Sequence, residues 1–509
     1  MKKLARAHNF LIAAALIACV LALGCLAVSH LFETSRLYTG PTPESVTLVR
    51  DNLPVNLLCT AGLIMLLAGV CRLVRKKHSG RVLAALVLLG SLLSAVFLVG
   101  AATDQIYDFQ YVIEAAQLFA RGNYKVLGVD YFHLYSYQLG FCLPMEALLR
   151  VFPSLNINLF MQAMNAVACG VSALVLAALC AEIAQDKRAG RMTLVLAILF
   201  LPLFFFPVFV YGTVPMVLLT LLSIWCFVRY TRTRRLVFGL LWPVLIAAAY
   251  VLKPNAAVPM IALAICAVLD AMQSKDAKIL MFAVLSAVLG VAMLRLIIVQ
   301  YEIRGGMKLT EDLSALARLV MGLKTGGAAG WYNGYTDKFL PLDVTAQQEH
   351  AMAMADLKEV LSQFAAEPGL FLRFLREKLL TQWLEPTCGS LWYGNLNGQH
   401  GPLAALAAKI YTQGGALRAV LEGYMNVFQQ ALYLLACAGG ASLLRREKRS
   451  GFLVLLLSVL GGLLYHLIFE AKSQYSYMYM VMLLALAAQG ALVIEGWLMR
   501  LIARGGDRE

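Results

Sequence analysis

The stretch VLAALVLLGSLLSAVFLVGAATDQIYDFQYVIEAAQLFARGNY, Val82 to Tyr124, changes character once. Up to Ala101 it is an apolar run of roughly 20 residues, the length a helix needs to cross a hydrocarbon core about 30 Å thick. From Thr103 onward apolar residues alternate with polar ones at helical spacing, and Asp104 and Asp108 fall one helical turn apart. The first half predicts a helix that leaves a membrane. The second half puts two carboxylates at its exit, where a substrate half in lipid would be met.

Outward from this stretch, similar runs recur along nearly the whole chain and predict about twelve spans. They cover residues 9–31, 53–73, 82–101, 158–181, 192–209, 212–229, 236–252, 255–271, 279–299, 424–444, 451–469 and 474–497. With 61% hydrophobic residues and a mean hydropathy of +0.73, the chain holds more apolar surface than a globular core buries, so a soluble protein is excluded. The runs lack the two-residue alternation of a membrane barrel, which leaves helices. The predicted fold class is an all-α polytopic membrane protein with two long exterior loop regions containing amphipathic helices. Phe10 to Leu31 exceeds the h-region of a secretory signal, typically about 7–15 residues, and is read as a retained span. Leu23-Gly24-Cys25 is not read as a lipidation box, because Ala22 stands where a large aliphatic residue belongs.

Basic residues cluster in alternate short loops: Lys2, Lys3 and Arg6; Arg72, Arg75, Lys76, Lys77 and Arg81; Lys187, Arg188 and Arg191; Arg229, Arg232, Arg234 and Arg235; Lys275 and Lys278; Arg445, Arg446, Lys448 and Arg449; Arg500, Arg504 and Arg508. By the positive-inside rule this predicts an even number of crossings in the cell membrane, with both termini cytoplasmic. The net charge of +14 is mostly this topology signal, and a nucleic-acid partner is excluded by it. The chain then divides into residues 1–101 (first spans), 102–157 (first exterior loop, the catalytic one), 158–299 (central spans), 300–423 (second exterior region) and 424–509 (last spans and cytoplasmic tail).

Most of the eleven cysteines fall in spans as small packing residues, and no CxxC pair suggests zinc. Only Cys142 and Cys388 lie in exterior segments, where a bond between them is open. The second exterior region predicts a helix over Leu309 to Leu323, capped by Thr310 with Glu311 and Asp312 in its first turn. Another runs from Pro368 through Leu370, Phe371, Phe374, Leu375 and Leu379, with Arg373, Arg376 and Lys378 on the other side. It either lies on the membrane surface or packs on the bundle.

Charge is nearly absent from span centres, which argues against an ion-coupled pump. Lys253, Arg295 and Glu470 fall near exterior ends, and Glu182 and Asp270 near cytoplasmic ends. Chemistry at the outer interface is the favoured reading. His133 and His400 stand alone, without metal-ligand spacing.

Several motifs carry a resemblance: Asp108, Ala115-Ala116, Arg121-Gly122-Asn123-Tyr124, Tyr131-Phe132, Tyr137-Gln138-Leu139-Gly140, Leu252-Lys253-Pro254-Asn255, Gly330-Trp331-Tyr332-Asn333-Gly334 and Glu470-Ala471-Lys472-Ser473-Gln474-Tyr475. Over most of residues 82–490 the chain resembles membrane glycosyltransferases of the GT-C superfamily, in particular glycosyltransferase family 39, the protein O-mannosyltransferase and lipid A aminoarabinose transferase group. It departs from that group in splitting an acidic pair into Asp104 and Asp108. It also has His133 to Tyr137 where the aminoarabinose transferases often carry Lys-Pro-Pro.

The resemblance implies transfer of a sugar from a polyprenyl-phosphate donor to a cell-envelope glycan, lipid or protein acceptor, with inversion and with no required cofactor, a divalent metal staying open. Asp108 would be the base and Asp104 its helper, since like charges on one helix face raise one pKa. Lys253, Arg295, Arg304, Arg318 and Lys472 are candidates for the donor phosphate. Tyr137, Gln138, Trp331, Tyr332, Asn333, Glu470 and Tyr475 are candidates for sugar or acceptor contacts. Trp331 and Tyr332 read equally as interfacial anchors, Lys253 as a snorkelling lysine, and Glu470 with Lys472 as a surface ion pair. A lipid-carrier flippase or transporter, a surface-polysaccharide polymerase or ligase, and a non-catalytic assembly scaffold stay open as alternatives.

Overall fold

Apolar runs become helices because only a helix satisfies every backbone group within its own segment. The computed structural model describes residues 2–38, 45–76, 78–128, 130–309, 313–325, 328–339, 345–396, 398–444 and 450–506. Among these, nine helices are long and apolar enough to cross a membrane: Asn9–Phe32, Leu53–Leu73, Ser79–Ala101, Ile157–Ala184, Thr213–Thr233, Pro254–Ser274, Lys278–Gly305, Gly451–Ile468 and Ser473–Leu501. They coincide with nine of the twelve expected runs. The last is the central helix, with 83% of its apolar window buried against 22% for Leu53–Leu73.

The other three runs are helical but differ in kind. Residues 192–209 form a pair, Lys187–Leu199 and Pro202–Val208, bent by 65° where Pro202 has no N–H to continue the first helix. The pair makes a tenth span if counted as one. Leu236–Leu252 is shorter and contains Pro243. The run 424–444 falls in Ala416–Leu443 and its C-cap Leu444, a helix that carries Asn426, Gln429 and Gln430. Their amide nitrogens donate to Asp51 Oδ2 (3.0 Å), the Trp383 carbonyl (3.1 Å) and the His30 carbonyl (3.0 Å), so this helix pairs its polar groups inside the protein.

One expectation is overturned between the first two spans. Glu33–Tyr38 and Ser45–Arg50 form an antiparallel hairpin, with Glu33 opposite Arg50 and Tyr38 opposite Ser45. The fold is therefore not purely helical, and a third segment joins the two long loop regions. Ser35 anchors the hairpin to the bundle through its N–H on the Leu384 carbonyl (3.1 Å) and its hydroxyl on the Thr381 carbonyl (2.7 Å).

Helix Ala315–Leu323 starts later than expected, because Ser314 caps it by accepting the Ala317 N–H at 3.1 Å. Thr310, Glu311 and Asp312 lie outside the described residues. Helix Pro368–Trp383 begins at its proline as expected, but its cations do not share one face. Arg376 pairs with Glu33 of the hairpin, whereas Lys378 is buried and donates to the Gly322 carbonyl. The helix packs on the bundle, with Phe374 and Leu380 buried. Cys142 and Cys388 are both buried free thiols. Cys142 donates to the Val112 carbonyl, and Cys388 accepts from Ser476, so no bond joins them.

The basic loops meet at one end of the bundle. Arg75 and Arg188 lie 2.6 and 3.9 Å from Glu495, Arg229 and Arg232 lie 3.4 and 4.0 Å from Glu182, and Arg234 lies 2.7 Å from Asp270. Lys77, Arg445, Arg446, Lys448, Arg449 and Arg508, and the side chains of Lys2, Lys3, Arg6 and Arg504, lie outside the described residues. The hairpin and the two long loop regions gather at the opposite end, here called the hairpin end.

Candidate functional site

The segment joining Ala101 to the next helix has its polar groups claimed from elsewhere. The Thr103 carbonyl accepts from Asn158 (2.9 Å) and Gln162 (2.7 Å), and the Asp104 N–H donates to the Gly398 carbonyl (3.0 Å). Gln105 bridges to the Val208 carbonyl (2.9 Å) and the Val210 N–H (3.3 Å). These long-range bonds keep Thr103 to Ile106 out of the helix, which starts at Tyr107. Asp104 and Asp108 therefore do not share a helix face. Asp104 is exposed and pairs with His400 Nε2 at 2.8 Å, apart from Asp108.

Asp108 lies in the first turn of Tyr107–Ala120, where the helix dipole favours a carboxylate. It follows Tyr107, a non-glycine residue at φ 51°, the kind of backbone strain that a protein keeps where surrounding contacts dictate it. The Tyr211 hydroxyl donates to Asp108 Oδ2 at 3.2 Å and lies 2.9 Å from the Tyr131 hydroxyl. Two glycines make this possible. At Gly212 (φ 79°) a Cβ would stand 2.6 Å from the Leu252 carbonyl oxygen, and at Gly140 one would stand 2.1 Å from that of Val251. The end of helix Leu236–Leu252 thus presses against Tyr211 and delivers buried Lys253, whose Nζ lies 3.3 Å from the Tyr211 ring centre. Phe109 closes the floor against Phe209, Tyr211 and Tyr393.

A second group arrives on the turn between the last two spans. The Ala471 N–H donates to the Gly330 carbonyl at 2.8 Å, which braces the turn. Glu470 accepts the Tyr475 hydroxyl at 2.8 Å and lies 3.6 Å from Lys472 Nζ, which in turn stands 5.3 Å from the Tyr332 ring centre. Both charges are recessed but reachable, with side chains 17% and 14% exposed. Arg318 lies over the Tyr137 ring at 5.2 Å, and its buried Nε and Nη2 have no acceptor among the described residues.

Burial pushes the Asp108 carboxyl above the usual range; Lys472 pulls it back, Glu470 adds to the rise, and the Tyr211 bond and Lys253 oppose it. Burial drives the Lys253 ammonium down to about 7, against the pull of Asp108. Burial also raises Tyr211, Tyr131 and Tyr137, so these phenols stay protonated donors. The arrangement couples a recessed carboxylate with a raised proton affinity to cations that can receive an anion.

The remaining candidates fall elsewhere. Arg304 lies 3.2 Å from Glu146, which also takes the Tyr301 hydroxyl and Arg150, so Arg304 is committed to a structural cluster. Arg295 is exposed on helix Lys278–Gly305, roughly 15 Å below its end at 1.5 Å per residue, with Glu302 at 4.0 Å. Trp331 is buried and bonds Thr381 at 3.0 Å, and Asn333 holds its own turn through the Met321 carbonyl and the Tyr335 N–H. Tyr332 is partly exposed beside Lys472, with its hydroxyl on Asp337 at 2.5 Å. Gln138 is buried, and its amide has no partner among the described residues. No group of three or more metal-ligating His, Cys, Asp or Glu side chains occurs among the described residues. Tyr131 was noted only as part of the Tyr131-Phe132 motif, and Tyr211 was not singled out by sequence; the one signal for it was Gly212, a glycine in a short link between two apolar runs.

The nine apolar helices among the described residues, crowned by loops that hold a recessed charged site, define a multi-pass integral membrane protein. The chain belongs to a family of conserved hypothetical integral membrane proteins, which matches residues 10–492. No curated protein matches it.

Proposed function

We propose that this protein is an envelope glycosyltransferase that moves a sugar from a polyprenyl-phosphate donor to an acceptor at the outer membrane face. The observation that carries this reading is Asp108, a recessed carboxylate of raised proton affinity within the field of Lys253, Lys472 and Glu470. In the reaction, Asp108 takes the proton from the acceptor's nucleophilic O–H or N–H, the new bond forms at the anomeric carbon, and the C1–O bond to phosphate breaks on the opposite face with inversion. The bonding pair leaves on the polyprenyl phosphate, which is received by Lys472 and by Arg318, whose buried Nε and Nη2 have no acceptor among the described residues. Lys253 is buried under Tyr211 and acts on the charge of Asp108, while Glu470 holds Lys472. The motif resemblance to GT-C enzymes supports the same chemistry.

Orientation follows the positive-inside rule, with the basic end and both termini in the cytoplasm and the hairpin end outside. The test supplies membranes carrying each variant with lipid-linked sugars and follows release of polyprenyl phosphate. Asp108→Asn lowers turnover by about 10²–10⁴, the usual worth of a general base, whereas Asp104→Asn retains it. Unchanged turnover in Asp108→Asn at normal expression overturns the assignment, as does movement of lipid-linked sugar across the membrane without bond cleavage.

A further inference from the structure

Behind the charged site stands a cation that group transfer as described does not use. Lys378, in helix Pro368–Trp383, is 0% exposed, and its ammonium donates to the Gly322 carbonyl. A neutral carbonyl does not repay the burial of a charge, and an apolar residue of similar length would fill the slot without that cost. The charge therefore calls for a partner.

The slot lies against the turn that carries Glu470 and Lys472. At Gly322 a Cβ would stand 2.5 Å from the Ile468 carbonyl oxygen, and at Gly330 (φ 70°) one would stand 2.8 Å from the Gly322 carbonyl oxygen and run into the Lys378 stem. Lys378, the two glycines and the start of the turn thus pack directly on one another, and the Gly330 carbonyl holds the turn through the Ala471 N–H. From helix Gly451–Ile468 the His466 ring donates through Nδ1 to the Glu470 carbonyl at 2.8 Å and stacks on Tyr475, with ring centres 5.1 Å apart. Burial lowers the Lys378 ammonium to about 7, and Glu470 opposes the fall, so the two charges act on each other.

Glu470 therefore has two cations. Lys472 lies 3.6 Å from it with a side chain 14% exposed and can reach a ligand, whereas Lys378 is enclosed and cannot. An anion entering the site competes with Glu470 for Lys472. With no other cation near, the recessed Glu470 would be left with an uncompensated charge and would hold Lys472 back.

We propose that Lys378 is a positioning residue that stays behind as the counter-charge of Glu470 while Lys472 turns to an incoming phosphate. That Lys472 meets a phosphate rests on the group-transfer reading; the coupling of Lys378 to Glu470 does not. The full chain in lipid nanodiscs is titrated with farnesyl phosphate as the probe, beside Lys378→Met, Glu470→Gln and the double variant, and thermal midpoints are read on the same samples. The wild type binds the probe, and Lys378→Met weakens binding about tenfold, the scale of one interaction with a charged group. In the Glu470→Gln background the same substitution changes binding by less than about twofold, and it lowers the midpoint less than in the wild type, as a coupled pair requires. A lysine that only fills space gives equal losses in both backgrounds. Equal midpoint losses, or probe binding that Lys378→Met leaves at the wild-type level, overturn the proposal. Where Lys378→Met alone does not fold, a folded double variant supports the coupling and an unfolded one overturns it. A wild type that binds no farnesyl phosphate overturns the phosphate part of the group-transfer reading alone, and the midpoints then decide whether Lys378 serves Glu470.

Discussion

The ammonium of Lys253 lies 3.3 Å from the centre of the Tyr211 ring, and the hydroxyl of that ring donates to Asp108 at 3.2 Å. One tyrosine therefore faces a cation with its π-surface and a carboxylate with its edge, and it separates two charges that burial would otherwise neutralise. Tyr211→Phe keeps the ring and removes the bond. Hydrogen bonds to charged groups contribute about 1.5–3 kcal/mol, so turnover falls roughly 10- to 100-fold. The bond holds the Asp108 carboxyl down, so its loss moves the acid limb of the pH–rate profile upward. A limb that stays in place or moves down refutes the coupling.

Lys253 supplies a second pH dependence of opposite sign. Burial lowers its pKa to about 7, so the cation is present below that pH and lost above it. kcat/KM accordingly declines as pH rises through about 7. Lys253→Met, isosteric and apolar, starts from a lower plateau and lacks this alkaline decline. An alkaline limb that survives in the variant assigns it to another group.

How much of this was legible in the sequence depends on how local the cause is. Apolar runs report their own hydration cost, so eleven of the twelve expected runs fall in single helices and the other, 192–209, in a bent pair. Charged residues near run ends stand out for the same reason, which is why Asp108, Lys253, Glu470 and Lys472, which the structure brings into one another's field, were singled out. Tyr211 carries no charge and sits in a short link, and its role appears only when Gly212 and Gly140 let a distant helix end approach. Asp104 looked like a helical neighbour of Asp108 until bonds to Gly398, Asn158 and Gln162, all remote in sequence, set the helix start. Arg304 looked free because its partner Glu146 is 158 residues away. The hairpin was missed because two six-residue strands between long spans give hydropathy little to report.

The Glu146 cluster tests the reassignment of Arg304. Glu146 is buried and accepts the Tyr301 hydroxyl at 2.5 Å and Arg150 Nε at 2.8 Å, besides Arg304. Glu146→Gln keeps the shape and removes the charge. It destabilises the protein by about 1–3 kcal/mol, with part of the ionic contribution screened because both arginines are half-exposed. Thermal unfolding in detergent reads the loss, and KM for the lipid-linked donor stays unchanged. A shift in donor KM would return Arg304 to the phosphate.

The central packing rests on a different contact, between helices Ala416–Leu443 and Ser473–Gly506. A Cβ on Gly490 would stand 1.9 Å from the Leu435 carbonyl oxygen, and one on Gly439 would stand 2.1 Å from that of Leu486. Both neighbours are helix backbone, which cannot swing aside as a side chain can, so a methyl group must part the helices. Gly490→Ala and Gly439→Ala each destabilise by about 1–3 kcal/mol, the usual cost of overpacking a filled core. Gly62→Ala and Gly69→Ala, where nothing lies within 4 Å of the added atom, serve as controls. Their helix Leu53–Leu73 gains propensity from alanine, so their thermal midpoints hold or rise. Equal midpoints for all four variants would mean that the two central helices do not meet at these glycines.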